Sequence, residues 1–419
     1  MSGASNSCPN ILFVTTDQQH IDTIAAAGCP HVSTPNIDRL VREGVSFSQS
    51  YSTNPLCSPA RSSWFTGRPT LETGVVVNDR AIRSDIPNIG QWLGTRGYEP
   101  VYVGKWHVPQ AWPVAVPGFT TIPAGHGGAG NIGDGAIARA TQGWIRNRSG
   151  SAPFFLTVNF LQPHDICQFV SMHQNAPDKI PYDGLEDVLP ELPANFGYDP
   201  REPEPVAKKR RWAWTARQWR YYLWSYYRQI EMVDAELGRV LEALDDSPYA
   251  RNTLVIFTSD HGEGCAHHQQ ALKNLLYDEA ARVPFVVWCP DRVRQNECDR
   301  EHLVSGLDIM STVCDYAGLE PPPDVRGRSL RPLLEGTTTD CREFVAAEVT
   351  QTGRMIRTQD YKYVVYQDDP VAQLFDMKED PGETRNLADE AKYADVLAEH
   401  RRLLREWEAG LDPAPVPGL

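Results

Sequence analysis

The chain has 419 residues, 41% hydrophobic and 22% charged, enough for one large domain plus a smaller one or for two to three of medium size. A formal net charge of −14 excludes nucleic-acid binding through general basicity, and an anionic substrate would need a locally positive pocket within a repulsive average field. No apolar run approaches the roughly 18 residues of a transmembrane helix. Met1 to Asn10 is polar and lacks an apolar signal core, so the chain as given reads as cytoplasmic, with no membrane partner, as it also would with a leader removed.

In chain order, Asn10-Ile-Leu-Phe-Val-Thr-Thr16 is a β-branched apolar run that predicts a buried strand delivering Asp17 at its carboxyl end. Residues 34–44 predict a capped helix with Pro35 in its first turn and Gly44 as its stop. Then comes Asn54-Pro-Leu-Cys-Ser-Pro-Ala-Arg-Ser-Ser-Trp-Phe-Thr-Gly-Arg68, which places Cys57 just before a helix whose first turn holds Pro59 and whose stop is Gly67. The unpaired N–H groups of such a helix end favour an anion beside Cys57. Residues 89–96 predict a helix, and 98–103 a strand ending at Gly104-Lys-Trp-His107. The Gly/Pro-rich segment 109–135 reads as an irregular loop, 136–146 as a helix, and 153–161 as an apolar strand ending at Gln162-Pro-His-Asp165.

Residues 166 to about 210 form a proline- and acid-rich excursion suited to a lid or specificity loop, closing on Lys208-Lys-Arg-Arg211, which reads as a solvated surface run. Tyr222, Leu223, Tyr226, Ile230, Val233, Leu237 and Val240 recur at helical spacing within 215–244, and Trp212, Trp214, Trp219 and Trp224 read mainly as core. Residues 252–259 predict a strand delivering Asp260-His261, followed by a strand at 283–288 and a helix at 306–318. Beyond about Pro332 the texture changes to short strands at 344–350, 354–358 and 361–366, closed by a helix at about 387–408. The fold class is therefore α/β: a large, mostly parallel sheet sandwiched by helices (residues 1–335), with a smaller C-terminal antiparallel sheet plus helix (336–419).

Asp17 and Asp260-His261 end two distant strands, and ligands of open α/β sheets gather beyond such carboxyl ends. Two carboxylates with an amide or imidazole make a hard-cation site, although a strand-end Asp can equally cap the next helix. Taken alone, His107 suits a structural histidine, Lys105 a surface charge, and the polar segment holding His267, His268 and Lys273 an exposed stretch. The nine cysteines (8, 29, 57, 167, 265, 289, 298, 314, 341) contain no Cys-x-x-Cys pair, which excludes a zinc knuckle or a secreted disulfide framework and predicts mostly buried small side chains.

The ordered series of motifs resembles the type I sulfatases of the alkaline phosphatase superfamily. Cys57-Ser-Pro-Ala-Arg61 is similar to the signature that marks a cysteine for oxidation to formylglycine. Asn10 to Asp17, Thr34-Pro-Asn-Ile-Asp-Arg-Leu40, Gly104-Lys-Trp-His107, Gln162-Pro-His164 and Ser259-Asp-His-Gly-Glu263 follow in family order. So do Lys273, Tyr277-Asp-Glu279, Arg282-Val-Pro284, Leu374-Phe-Asp-Met377, Asp380-Pro-Gly-Glu383 and Asn386-Leu-Ala388. The resemblance implies an alkaline-phosphatase-like fold and hydrolysis of a sulfate monoester, aryl or carbohydrate, with a maturase such as a formylglycine-generating enzyme as partner and a homo-oligomer compatible with it.

Carried over by position, the resemblance makes Cys57 a formylglycine whose hydrate is the nucleophile. Asp17, Gln18, Cys57, Asp260 and His261 would hold one divalent metal. Arg61, Lys105 and His107 would orient and activate the diol, and Lys105, His164 and Lys273 would grip the sulfate, with His268 a further histidine on the substrate side. Many members carry a second acid where this chain has Gln18; the Asp-Gln opening looks more like choline sulfatases and phosphonate monoester hydrolases, which favour Mn²⁺ where four-oxygen sites favour Ca²⁺. A phosphonate monoester or phosphodiester hydrolase is therefore the alternative reading, and a non-catalytic binding protein with unmodified Cys57 the rival of another class. The aromatic and arginine content of 208–228 suits a sugar or aryl group.

Overall fold

The computed structural model describes residues 8–110, 115–124, 129–173, 183–210 and 213–415; Arg211, Trp212 and parts of the predicted loops at 109–135 and 166–215 lie outside them. The strands are β1 (Asn10–Asp17), β2 (Val45–Phe47), β3 (Ser50–Tyr51), β4 (Glu99–Gly104), β5 (Thr120–Ile122), β6 (Phe154–Pro163) and β7 (Thr253–Ser259). They continue with β8 (Phe285–Trp288), β9 (Glu297–Asp299), β10 (Val304–Ser305), β11 (Val345–Val349), β12 (Gly353–Arg357), β13 (Tyr361–Tyr366) and β14 (Gln373–Asp376).

Eight of them form one sheet in the order β5-β4-β6-β1-β7-β8-β2-β9. The five strands from β5 to β7 are mutually parallel; β8 runs antiparallel to both β7 and β2. Every residue of β1 is buried, because a central parallel strand has both faces covered. Its side chains alternate between two cores. Ile11 and Phe13 pack with Trp64 and Phe65 of helix α2 (Cys57–Thr66, introduced after α1, Pro35–Glu43). Leu12 and Val14 pack with Val233, Leu237 and Val240 of the long helix Ala216–Asp245. The sheet is thus sandwiched by helices.

The C-terminal sheet β11-β12-β13-β14 is antiparallel throughout. One face carries Ile356, Tyr363 and Leu374 against Leu397 and Leu404 of helix Ala394–Ala409, and the other packs Met355, Val364 and Phe375 with Tyr51, Tyr277 and Ala280. Buried Lys362 crosses that contact, its Nζ 2.8 Å from Asp278 Oδ1 and 2.7 Å from Glu383 Oε1.

Several sequence expectations are corrected. The helix predicted from 136 begins at Gly130, because Asp165, distant in sequence, accepts the N–H groups of Gly130 (3.0 Å) and Asn131 (3.1 Å). The 109–135 segment contains β5, and the predicted three-strand C-terminal sheet has a fourth strand, β14. All nine cysteines are free, but only Cys57, Cys265, Cys289 and Cys314 are buried; Cys8, Cys298 and Cys341 are exposed. Arg210 is no solvated charge: its guanidinium pairs with buried Glu202, and its Nε donates to the His268 carbonyl at 3.0 Å.

Gly104 turns the chain out of β4 toward the site. Its φ of +96° and a Cβ position 2.1 Å from the Asn159 carbonyl oxygen exclude any side chain, while the Lys105 N–H donates to that same oxygen at 3.0 Å. Gly104→Ala is expected to cost about 2–4 kcal/mol in denaturant unfolding, from left-handed strain plus overlap. It should also lower kcat more than Gly97→Ala, where φ is +93° but no atom lies within 4 Å.

Candidate active site

Four adjacent parallel strands end at one rim. β4 hands over Lys105 and His107, β6 His164, β1 Asp17 and Gln18, and β7 Asp260 and His261; register places Thr16 beside Ser259, Asp17 beside Pro163 and Gly104 beside Asn159. Onto this rim α2 points its first residue, Cys57. Gly67 ends α2 in the left-handed conformation (φ 69°), its N–H bonding the Ser63 carbonyl at 2.7 Å. Lys273 arrives from the 262–277 segment.

Cys57 is completely buried. Its Sγ lies 3.6 Å from Asp17 Oδ1, 3.3 Å from His261 Nε2 and 3.3 Å from Lys273 Nζ. Lys105 Nζ sits 2.6 Å from Asp17 Oδ2, and His164 Nε2 4.0 Å from Asp17 Oδ1. His107 adopts a left-handed backbone (φ 63°); its buried Nδ1 has no hydrogen-bond partner and its Nε2 lies 3.5 Å from Asp79.

The electrostatics follow from that crowd. Burial opposes ionisation of Cys57, yet Lys105, Lys273 and His261 together hold the thiol well below its ordinary value. Burial also opposes charge on Asp17, but Lys105, His164 and Arg61 keep its carboxyl below the usual range. Burial, then Lys273 and Lys105, push His164 down to about 4, so its imidazole is neutral at pH 7. Lys273 stays charged despite its burial because Cys57 and other acidic groups face it.

Asp17, Cys57, Asp260 and His261 bring their ligand atoms within 4.8 Å of one another. His261 Nδ1 donates to the Gly262 carbonyl at 2.8 Å, which turns Nε2 toward the cluster. Two carboxylates and an oriented imidazole fit a divalent cation. Gln18 Oε1 looks into the same space, 2.6 Å from Lys273 Nζ.

Residues 9–319 match the sulfatase family model, and residues 266–409 match that of the N-sulphoglucosamine sulphohydrolase C-terminal region. The chain belongs to the sulfatase family. A Delta 4,5-hexuronate-2-O-sulfatase of Bacteroides thetaiotaomicron is 32% identical over 95% of this chain and 88% of its own length. A solved 2-O GAG sulfatase superposes with a TM-score of 0.86 at 29% identity, covering 97% of this chain and 95% of that one. The phosphonate monoester hydrolase of Agrobacterium radiobacter shares the fold, with a TM-score of 0.81 at 24% identity over 96% of each chain. The sulfatase is a sulfuric ester hydrolase of the alkaline phosphatase superfamily.

Two of the sequence-predicted residues sit differently from their expected roles. Arg61 of the sulfatase touches the acids: Nε donates to Asp260 Oδ2 (3.1 Å), one terminal nitrogen to Asp17 Oδ2 (2.9 Å) and the other to the Lys105 carbonyl (3.0 Å). His268 is not brought to Cys57. It is buried, its ring stacks on Tyr277 at 4.1 Å, and its Nε2 faces Asn195 at 3.4 Å and Glu279 at 3.9 Å. The polar segment around it is held by the 183–210 excursion through Asn195, so it is packed where exposure was expected.

Sequence reasoning assigned no role to Glu263, Tyr222, Tyr226 or Cys167, all of which contact Gln18 or its partners. The acid three residues beyond Asp260 was the available signal for Glu263. Because Arg61 meets Asp260, Asp17 and the Lys105 carbonyl through three separate nitrogens, Arg61→Lys should cost about 3–5 kcal/mol in denaturant unfolding, since one ammonium on a shorter stem cannot reproduce all three contacts.

Proposed function

We propose that the sulfatase hydrolyses the sulfate ester of a sulfated saccharide, using Cys57 in its formylglycine form as nucleophile. The carrying observation is the placement of Cys57 at a helix N-terminus, ringed by two carboxylates, His261 and two lysines. The thiol sulfur stands where the hydrated aldehyde of formylglycine would be. Because Cys57 is fully buried, a maturase would reach it before folding is complete.

The residues divide the work by chemistry. A sulfate monoester resists attack because its oxygens repel an incoming nucleophile. Lys105 and Lys273, beside position 57, neutralise those oxygens as charge develops. Asp17 accepts a hydrogen bond from the nucleophile and orients it. Neutral His164, with its side chain 29% exposed, can donate a hydrogen bond to an ester oxygen and so helps to hold the sulfate. A bound divalent cation, held by Asp17, Asp260, His261 and residue 57 with Gln18 beside them, would supply Lewis-acid stabilisation of the sulfate. Ca²⁺ and Mn²⁺ are the two candidates, and the neutral amide of Gln18 makes the donor set less anionic than a third carboxylate would.

A serine at position 57 would end as a stable sulfate ester, whereas a diol can expel sulfate through its second hydroxyl. Cys57→Ser is therefore expected to release one equivalent of alcohol and then stall as a covalent adduct; sustained turnover would refute the formylglycine mechanism. The peptide holding residue 57 should weigh about 18 Da less than its cysteine form.

The saccharide reading draws on relatives named hexuronate-2-O-sulfatase and N-acetylglucosamine-6-O-sulfatase. Gln18 and the phosphonate hydrolase fold favour the second reading. A panel of 2-O- and 6-O-sulfated saccharides, 4-nitrophenyl sulfate and a phenyl phosphonate monoester separates the two. The highest kcat/KM should fall on a sulfated saccharide, and a phosphonate ester leading the panel would transfer the assignment.

A further inference from the structure

Glu263 is a buried carboxylate one layer behind the site. Its Oε2 accepts from the Gln18 side-chain amide, and its Oε1 accepts from the Tyr222 hydroxyl, the Gly264 N–H (2.9 Å) and the Leu272 N–H. All four partners are neutral donors. Gln18 is clamped at its backbone too. Its N–H donates to Asp260 Oδ1 at 2.9 Å, and its carbonyl accepts from the Tyr226 hydroxyl at 2.6 Å, with φ at +75°. With backbone and amide nitrogen both fixed, Gln18 Oε1 is turned toward Lys273 Nζ at 2.6 Å, which is itself 3.3 Å from Cys57 Sγ, and also accepts from the Cys167 thiol at 3.4 Å.

We propose that Glu263 is a positioning residue that sets the Gln18 amide with its oxygen toward Lys273, and holds the Lys273 segment through the Leu272 N–H. One carboxylate thereby fixes both members of the Gln18–Lys273 contact beside the nucleophile. It touches no reacting atom. The role rests on the reading that chemistry occurs at residue 57, whether the ester is a sulfate or a phosphonate.

Donor and acceptor logic supplies the test. In E263Q the new side chain must turn its oxygen toward the three donors on the Oε1 side, so its amide N–H₂ confronts the N–H₂ of Gln18. The conflict is relieved by a flip that turns Gln18's N–H₂ toward the Lys273 ammonium. In Q18E two carboxylates confront each other across the same contact. In the double variant Q18E/E263Q the polarity is reversed but complementary: the new amide donates to one oxygen of the new carboxylate, whose other oxygen accepts from Lys273.

The four forms are compared on the best substrate of the wild type, with the divalent metal saturating, by kcat and KM separately. Each single variant should lose about 10- to 100-fold in kcat, as expected for groups displaced by about an ångström. The double variant should exceed both and recover at least about a tenth of the wild-type kcat. Losses that multiply in the double variant overturn the proposal, because a merely structural carboxylate would not be rescued by reversing the pair. If E263Q alone fails to fold, the proposal requires Q18E/E263Q to fold and to surpass Q18E, and failure on either count overturns it. A wild type inactive on sulfate esters but active on phosphonates would move the substrate assignment and leave this test intact.

Discussion

Two buried carboxylates lie on either side of one buried guanidinium, and the rest of the site depends on that contact. Asp17 and Asp260 end neighbouring strands β1 and β7, so the sheet itself forces like charges together. Arg61 sits between them from α2, the helix that carries Cys57. The arginine therefore fixes the helix to the sheet by the same hydrogen bonds that hold the acids at the rim. Burial of an ion pair is a weak source of net stability, because desolvation offsets attraction, but breaking one costs several kcal/mol. The arrangement is best understood as a device for geometry, placing residue 57 against two oriented carboxylates.

Around this triad the charges are laid out so that an anion gains on entry. Arg61, Lys105 and Lys273 gather around Asp17, Asp260 and residue 57 in a chain whose overall formal charge is −14. Arg61 is held against both acids and a carbonyl, and the two lysines are the other cations that flank residue 57. Lys105 is directed by the turn at Gly104, and Lys273 by contacts through Gln18 and Leu272. Each mobile side chain in the site is thus held from behind by a residue that does not meet the substrate.

What could be read in advance followed from regularity. β1 and β7 were legible because their apolar runs are continuous and end in an acid, and parallel pairing then required Asp17 and Asp260 to meet. Cys57 follows the same rule at the start of a helix, whereas Lys105, which read alone suits a surface charge, is buried, and its place at the site, like that of His164, was legible only through the resemblance. Lys273 does not follow that rule, because the segment that carries it has no period: Cys265, Ala266, His268, Gln269, Leu272 and Asn274 all take positive φ. The segment is held by Asn195, distant in sequence, through the His268 N–H, and by Glu263 of the segment itself through the Leu272 N–H, contacts that no local pattern announces. The early start of helix Gly130–Asn147, capped by Asp165, and the two- or three-residue strands β2, β3, β9 and β10 were missed for the same reason.

Charge cannot choose between the two ester classes. A sulfate monoester and a phosphonate monoester each carry a single negative charge on a tetrahedral centre, and the lysines meet both alike. Discrimination has to arise where the remainder of the molecule lies. Asp165, next to His164, anchors the N-terminus of helix Gly130–Asn147 and immediately precedes helix Ile166–His173. These two helices expose Ile132 (73%) and Met172 (68%), large apolar side chains with no covering partner from the described residues.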